Sequence, residues 1–304
     1  MGCSSWKSSD WGTYTKKYDI KDTSTVKDLY VSKSIDNYLD PSDGKIRESR
    51  DSEINPNSNA IIVGLDVTGS MGYLAQEIAK VALNTLITDI YTNNAIDNPH
   101  VMIGAIGDME CDSSPLQITQ FEADIELAEQ LRKIYFEGGG GGNAGESYLG
   151  LWYFAARHTS IDCFEKRNKK GFIFTIGDEP DLKIMRKEDI KRFFGDDVQD
   201  DITEKDMYNE VSKMYEVFHI VTGNYQRRGS VEEWTGILGD RCIIAQDYKK
   251  IPEIIESILE VMRGKTVDEV VEKYTDSSTA LIVRDAISGL KNVNSESSSE
   301  LVEF

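Results

Sequence analysis

The chain has little of what binds metals through sulfur or nitrogen, and little of what staples small secreted folds. Its 304 residues include four cysteines and three histidines. Cys3, Cys111, Cys163 and Cys242 lie far apart and form no Cys-x-x-Cys pair. That spacing excludes a zinc cluster or a disulfide framework and predicts reduced thiols. His100, His158 and His219 are isolated in sequence, so each reads as an ordinary structural histidine. No apolar run approaches the roughly twenty residues of a membrane-spanning helix, and there is no signal-peptide core. Met1-Gly2-Cys3-Ser4-Ser5-Trp6 approaches an acylation motif but carries Trp where Ser or Thr is required. Positive charge is also short: 34 basic residues stand against 53 acidic ones, a net charge of −19. Such a surface repels phosphate backbones and excludes nonspecific nucleic-acid binding. It repels acidic proteins too, unless a bound cation bridges the partners. No Gly-x-x-x-x-Gly-Lys pattern exists, so no Walker phosphate loop is expected. Together these absences predict a soluble, cytoplasmic protein with neither membrane nor nucleic acid as partner.

What is present suffices for a large core: 39% of the residues are apolar, and the length suits one large α/β domain with extensions. The informative stretch is Ile61-Ile62-Val63-Gly64-Leu65-Asp66-Val67-Thr68-Gly69-Ser70-Met71-Gly72. Residues 61–65 read as a fully buried strand, short and rich in β-branched side chains. From Leu74, the residues Ile78, Ala82, Leu86 and Ile90 recur at every fourth position, one face of a helix. Asp66, Thr68 and Ser70 therefore fall in a strand-to-helix turn, at the edge of an open α/β sheet where ligands bind. Three oxygen side chains there suit a hard divalent cation.

Residues 1–58 form a polar arm in which Trp6, Trp11, Tyr14 and Tyr18 stand out; they either pack on the protein's own domain or dock a partner. Residues 59–262 alternate strands and helices. Strands are expected at 101–107, 172–176, 217–221 and 242–245. An antiparallel edge strand is expected around Leu116, Ile118 and Phe121. Helices are expected at 124–135, from Glu146, at 186–194, 203–215, 231–238 and 251–262. This pattern predicts a Rossmann-like, doubly wound, mainly parallel sheet with helices on both faces. Residues 263–304 add two short amphipathic pieces, packed on the domain or on a partner, and a Ser/Glu-rich end expected to be disordered from about 293. The acidic stretch from Asp196 to Asp206 lacks the EF-hand glycine and reads as a solvated loop and helix start. Glu165-Lys166-Arg167-Asn168-Lys169-Lys170 precedes a strand and reads as a solvated turn at the far edge of the sheet.

Parallel strands bring their carboxyl ends to one edge, so Asp66, Asp108 and Asp178 can meet there. Buried carboxylates without a counter-charge are costly, and a divalent ion removes most of that cost. Gly138 to Gly142 lead into Asn143, Glu146 and Ser147; the run is either a loop shaping the site or a plain hinge. Asp66-Val67-Thr68-Gly69-Ser70 resembles the first motif, Asp-x-Ser/Thr-x-Ser, of von Willebrand factor A (VWA) domains. Thr175-Ile176-Gly177-Asp178 resembles their third motif. The resemblance covers roughly residues 58–262 and implies a metal-ion-dependent adhesion site (MIDAS) holding Mg2+, or Mn2+ or Ca2+. It implies direct binding by Thr68 and Ser70, and binding through water or hydrogen bonds by Asp66 and Asp178. The family's second motif is normally a threonine; Gly141 to Ser147 instead is similar to a Gly-Gly-Asp-x-Pro-Glu variant. That makes Glu146 the expected second-loop ligand, with Ser147 and Asn143 in reserve. The implied function is metal-dependent protein–protein interaction, in which a partner's acidic side chain completes the ion's shell. The overall character resembles intracellular bacterial or bacteriophage members, some of which work with MoxR-type AAA+ ATPases. No enzyme is expected, but a competing reading remains: Ser70, Asp178 and His219 fall in the hydrolase order of serine, acid and histidine. Against it, Thr68 replaces the elbow's first glycine. A haloacid-dehalogenase-type phosphatase would need a second aspartate where Thr68 stands.

Overall fold

In the computed structural model, residues 4–137, 145–223 and 229–291 are described, Asp43 and Ser70 by backbone alone. The glycine run, Asn143 and the Ser/Glu-rich tail lie outside the described residues. In chain order the strands are β1 (Arg47–Ser49), β2 (Asn59–Asp66), β3 (Pro99–Ile106), β4 (Leu116–Ile118), β5 (Thr159–Ile161), β6 (Gly171–Gly177), β7 (Ile184–Met185), β8 (Ile202–Thr203), β9 (Tyr215–Val221) and β10 (Cys242–Ile244). Six of them form the central sheet in the order β10-β9-β6-β2-β3-β4. All neighbours are parallel except β3 and β4, which pair antiparallel through Ala105 and Gln117. This is the doubly wound sheet with one antiparallel edge strand expected from the alternation of strand and helix.

β2 and β3 lie in the middle of the sheet, covered on both faces, which is why they read as unbroken apolar runs. Gly64 and Gly104 are register partners. A Cβ on either would meet Leu151 at 2.3 and 2.7 Å, so these glycines let the Tyr148–Arg157 helix lie close against the sheet. The helix after β2 keeps the expected four-residue spacing but is not uniform. A 3-10 turn over Gly69–Met71 leads into Gly72–Glu77, a π-turn over Ile78–Ala82, and α-helix over Leu83–Thr92. The helix expected over 124–135 is shorter, Glu126–Leu131, and that expected over 203–215 ends at Val211. The residues after Val211 turn directly into β9.

The polar arm is more structured than its composition suggests. Ser8–Lys17 is helical, and Trp6, Trp11, Tyr14 and Tyr18 form a ladder with ring centroids 6.0, 5.3 and 5.2 Å apart. The ladder packs on the protein itself: Trp6 Nε1 donates to Asn84 Oδ1 (3.3 Å) and the Tyr14 hydroxyl to the Ala128 carbonyl (3.1 Å). β1 pairs in parallel with β5 as a separate ribbon, and Arg47 within it is fully buried, donating to the Tyr38 carbonyl (2.9 Å).

The amphipathic pieces after 263 are helices Val267–Val271 and Ser277–Ile287, with Val270, Val271, Val283 and Ile287 buried in the same core as β2. The acidic stretch is only partly solvated, because four of its carboxylates have structural work. Asp196 binds His158 Nε2 and the Tyr153 hydroxyl, and Asp201 accepts from the Lys187 N–H. Asp206 closes a cap with Thr203, and Glu204 is half-buried beside Lys183. Among the described residues no helix is long and apolar enough to cross a membrane, and Cys111, Cys163 and Cys242 are free thiols.

Candidate metal centre

β2 and β6 are neighbours, so Asp66, the last residue of β2, and Asp178, directly after β6, emerge side by side. Asp66 is fully buried. Its Oδ1 accepts from the Thr68 N–H (2.9 Å) and the Thr68 hydroxyl (2.6 Å), a local turn that makes Asp66 and Thr68 one unit. Its Oδ2 accepts from the Tyr148 hydroxyl at 3.3 Å. Burial pushes the Asp66 carboxyl well above the usual carboxylate range, and the negative charge of Asp178 adds to that, while the Thr68 bonds pull it back.

Glu146 arrives from the loop before the Tyr148–Arg157 helix and is fixed by its backbone. Its N–H donates to the Pro180 carbonyl (3.0 Å), and its own carbonyl accepts from Leu182 (3.2 Å). These bonds tie the second loop to the segment leaving β6. Burial raises the Glu146 carboxyl, and Asp66, Asp108 and Asp112 raise it further, with a side-chain contact to Thr68 acting in the opposite direction. Among the described residues Glu146 Oε2 is buried without a hydrogen-bond partner, and so is Asp108 Oδ2. The other Asp108 oxygen accepts from the Glu110 N–H (2.8 Å).

Of the expected residues, Asp66, Thr68 and Glu146 are thus gathered, with Asp178 close enough to Asp66 to act on its charge. The Ser70 side chain lies outside what is described. Ser147 is spent on scaffolding: its Oγ accepts from the Met109 N–H (2.8 Å) and its N–H donates to the Gly107 carbonyl (3.1 Å). Among the described residues no three His, Cys, Asp or Glu side chains converge tightly enough to hold an ion by themselves. A cation here would therefore need hydroxyl and water oxygens as well, and the donor set is all oxygen, as a hard ion requires.

His219 is fully buried. Its Nδ1 pairs with the Thr175 hydroxyl (2.8 Å), its ring stacks on Trp234 with centroids 3.8 Å apart, and Nε2 has no partner among the described residues. Burial lowers its pKa well below the usual imidazole value. This is a neutral core histidine, with no acid orienting it through Nε2.

Sequence reasoning missed three contributors. Tyr148, which reaches Asp66, opens the helix behind the glycine loop, and that position was its only signal. Asp181 is buried and accepts from the Leu149 and Lys183 N–H groups (2.9 and 3.1 Å), holding the start of the same helix. Tyr73, set edge-on to Tyr248 with centroids 4.8 Å apart, stands beside Thr222 and Asp178 at the rim.

No protein-family model and no curated protein matches the chain. Several solved structures are similar in part. The pilus adhesin SpaC from Lactobacillus rhamnosus GG is 10% identical, with 70% of this chain and 31% of that chain covered and a TM-score of 0.47. A von Willebrand factor type A structure from Catenulispora acidiphila is 13% identical over 69% of this chain and 44% of that one, with a TM-score of 0.38. BatB from Bacteroides thetaiotaomicron is 17% identical over 54% of this chain and 67% of that one, with a TM-score of 0.31. The chain spans about a third of the length of the adhesin it resembles.

Proposed function

We propose that the protein is an interaction module of the VWA type. A divalent cation, Mg2+ first and Mn2+ or Ca2+ as alternatives, would be held by Asp66, Thr68, Ser70, Glu146 and Asp178. The observation that carries this reading is the buried Glu146 Oε2, without a hydrogen-bond partner among the described residues, beside a buried Asp66. Carboxylates so placed are costly to ionise unless a positive charge joins them. When bound, the ion supplies a local positive charge on a strongly acidic protein, so that a partner's carboxylate can dock. The chain's own part is to hold the oxygens ready: Thr68 fixes Asp66, and the Pro180 and Leu182 backbone fixes Glu146. By resemblance alone, an AAA+ ATPase of the MoxR type is a candidate partner, the protein is of the intracellular bacterial or bacteriophage kind, and its setting is cytoplasmic. No enzymatic activity is proposed. The serine-hydrolase alternative is less supported because His219 is stacked in the core and paired with Thr175.

Thermal unfolding with and without Mg2+ tests this. At a hundredfold excess over its Kd the ion should stabilise the protein by about 3 kcal/mol, and EDTA should reverse the effect. Asp66→Asn keeps the shape and removes the charge, so it should abolish the Mg2+ response while making the metal-free protein no less stable. Asp206→Ala, at a distant helix cap, should leave the response intact. An unchanged response in Asp66→Asn, or labelling of Ser70 by a fluorophosphonate, would count against the proposal.

A further inference from the structure

The basic turn before β6 does not face open solvent alone. With the starts of β2 and β9 and the end of the Ile251–Met262 helix, it encloses a cavity of about 710 Å³. The cavity lies at the opposite end of the sheet from Asp66 and Asp178, and its volume is in the range of roughly 300–1,000 Å³ typical of small-molecule sites. Four cations line it, Arg167, Lys169, Lys170 and Arg263, against two carboxylates, Asp97 and Glu216. On a chain of net charge −19 that excess is a local reversal of sign.

Two of the cations are held in place. Arg167 donates to Asp51 Oδ2 (2.7 Å) and the Ser58 carbonyl (2.5 Å). Arg263 donates to the Ala95 carbonyl (3.2 Å) and Asp97 Oδ2 (3.0 Å). Lys170 pairs with Glu216 at 3.4 Å. Lys169 is exposed, and its ammonium makes no ion pair among the described residues. Ile96, Phe172 and Met262 supply apolar lining. Fixed guanidinium groups cost little to organise around an anion, and the apolar side chains give a carbon framework somewhere to lie.

We infer that this cavity is a second ligand site, taking a small organic anion: one phosphate, sulfonate or carboxylate group met by Arg167, Lys169 and Arg263, with a flat apolar body against Ile96, Phe172 and Met262. It is independent of the metal centre. Calorimetric titration of the full chain with adenosine monophosphate and with anilinonaphthalene sulfonate tests it. Adenosine and inorganic phosphate alone serve as half-ligand controls. Both anionic probes should bind and compete with each other, with Kd below about 1 mM, and adding salt should weaken them. Each half-ligand should bind at least about tenfold more weakly. Lys169→Glu, at an exposed position, should weaken both probes about tenfold, whereas EDTA and Asp66→Asn should leave them unchanged. Failure of both probes to saturate by about 1 mM, adenosine binding as tightly as its phosphate, or indifference to Lys169→Glu would each overturn the assignment.

Discussion

Replacing Lys273 by methionine should cost about 3–5 kcal/mol of stability, the usual penalty for stranding a buried charge. Lys273 reaches back from the segment after the Val267–Val271 helix. It bridges Glu256 and Glu260 on the Ile251–Met262 helix, whose side chains are 1% and 2% exposed. Glu260 keeps a second partner in Lys265. Glu256 keeps only neutral help, from the Tyr274 hydroxyl at its Oε2 (3.2 Å) and from the Asn93 side chain. Burial already raises the Glu256 carboxyl, and Lys273 is what draws it back. Without the lysine, the folded-state pKa climbs further above the unfolded value. The penalty is therefore full above the folded pKa and fades as pH falls toward the ordinary carboxylate range. Denaturant unfolding of the variant at neutral and mildly acid pH measures this directly. Adding Glu256→Gln should recover part of the loss. A penalty under about 1 kcal/mol would mean the bridge behaves as a surface pair and does not anchor the C-terminal helices.

Gly177→Ala should be almost as damaging, and its effect should run through the candidate site around Asp66. A Cβ at 177 would lie 1.8 Å from the Tyr148 hydroxyl and 3.2 Å from Asp66 Cβ. Tyr148 is fully buried and cannot swing outward, so either the ring or β6 must shift. Overpacking of this kind costs about 1–3 kcal/mol, and the displaced hydroxyl leaves Asp66 Oδ2. A double-mutant cycle isolates the cause: Tyr148→Phe removes the clashing atom, so Gly177→Ala should cost less in that background. Costs that simply add would show that the hydroxyl is not what the glycine accommodates. Melting curves with and without Mg2+ on the same variants would show whether the Tyr148–Asp66 contact also tunes the ion response.

The parts of the molecule legible in the sequence are those governed by local pattern. β2, β3 and β6 announce themselves because strands buried on both faces must be apolar throughout. The helix after β2 is legible from the repeat of Leu74, Ile78, Ala82, Leu86 and Ile90. Asp66 with Thr68 is legible because the turn bonds are made two residues apart. Trp11, Tyr14 and Tyr18 had the three- and four-residue spacing of a helix face, but the polar residues between them hid it. What could not be read depends on contacts between distant residues. Nothing near Tyr148 in sequence says that its hydroxyl meets Asp66, and Gly177 gives no sign that it keeps that path clear. Asp196 looked like one solvated acid among many, yet it binds His158 across the fold. The order of strand and turn puts Arg167–Lys170 at the end of the sheet away from Asp66, but the cavity beneath it needs the starts of β2 and β9 to exist at all.

The aromatic ladder and the β1–β5 ribbon also bear on how the chain is made. Tyr14 finds its carbonyl partner 114 residues downstream, and Arg47 pairs in register with Thr159. Residues 6–49 therefore complete their contacts only when partners as far along as Ala128 and Thr159 are in place. Such long-range closure is slow, and exposed rings waiting during translation are a hazard for aggregation. The segment from Trp6 to Tyr18 should consequently lock down only after the Glu126–Leu131 helix has formed.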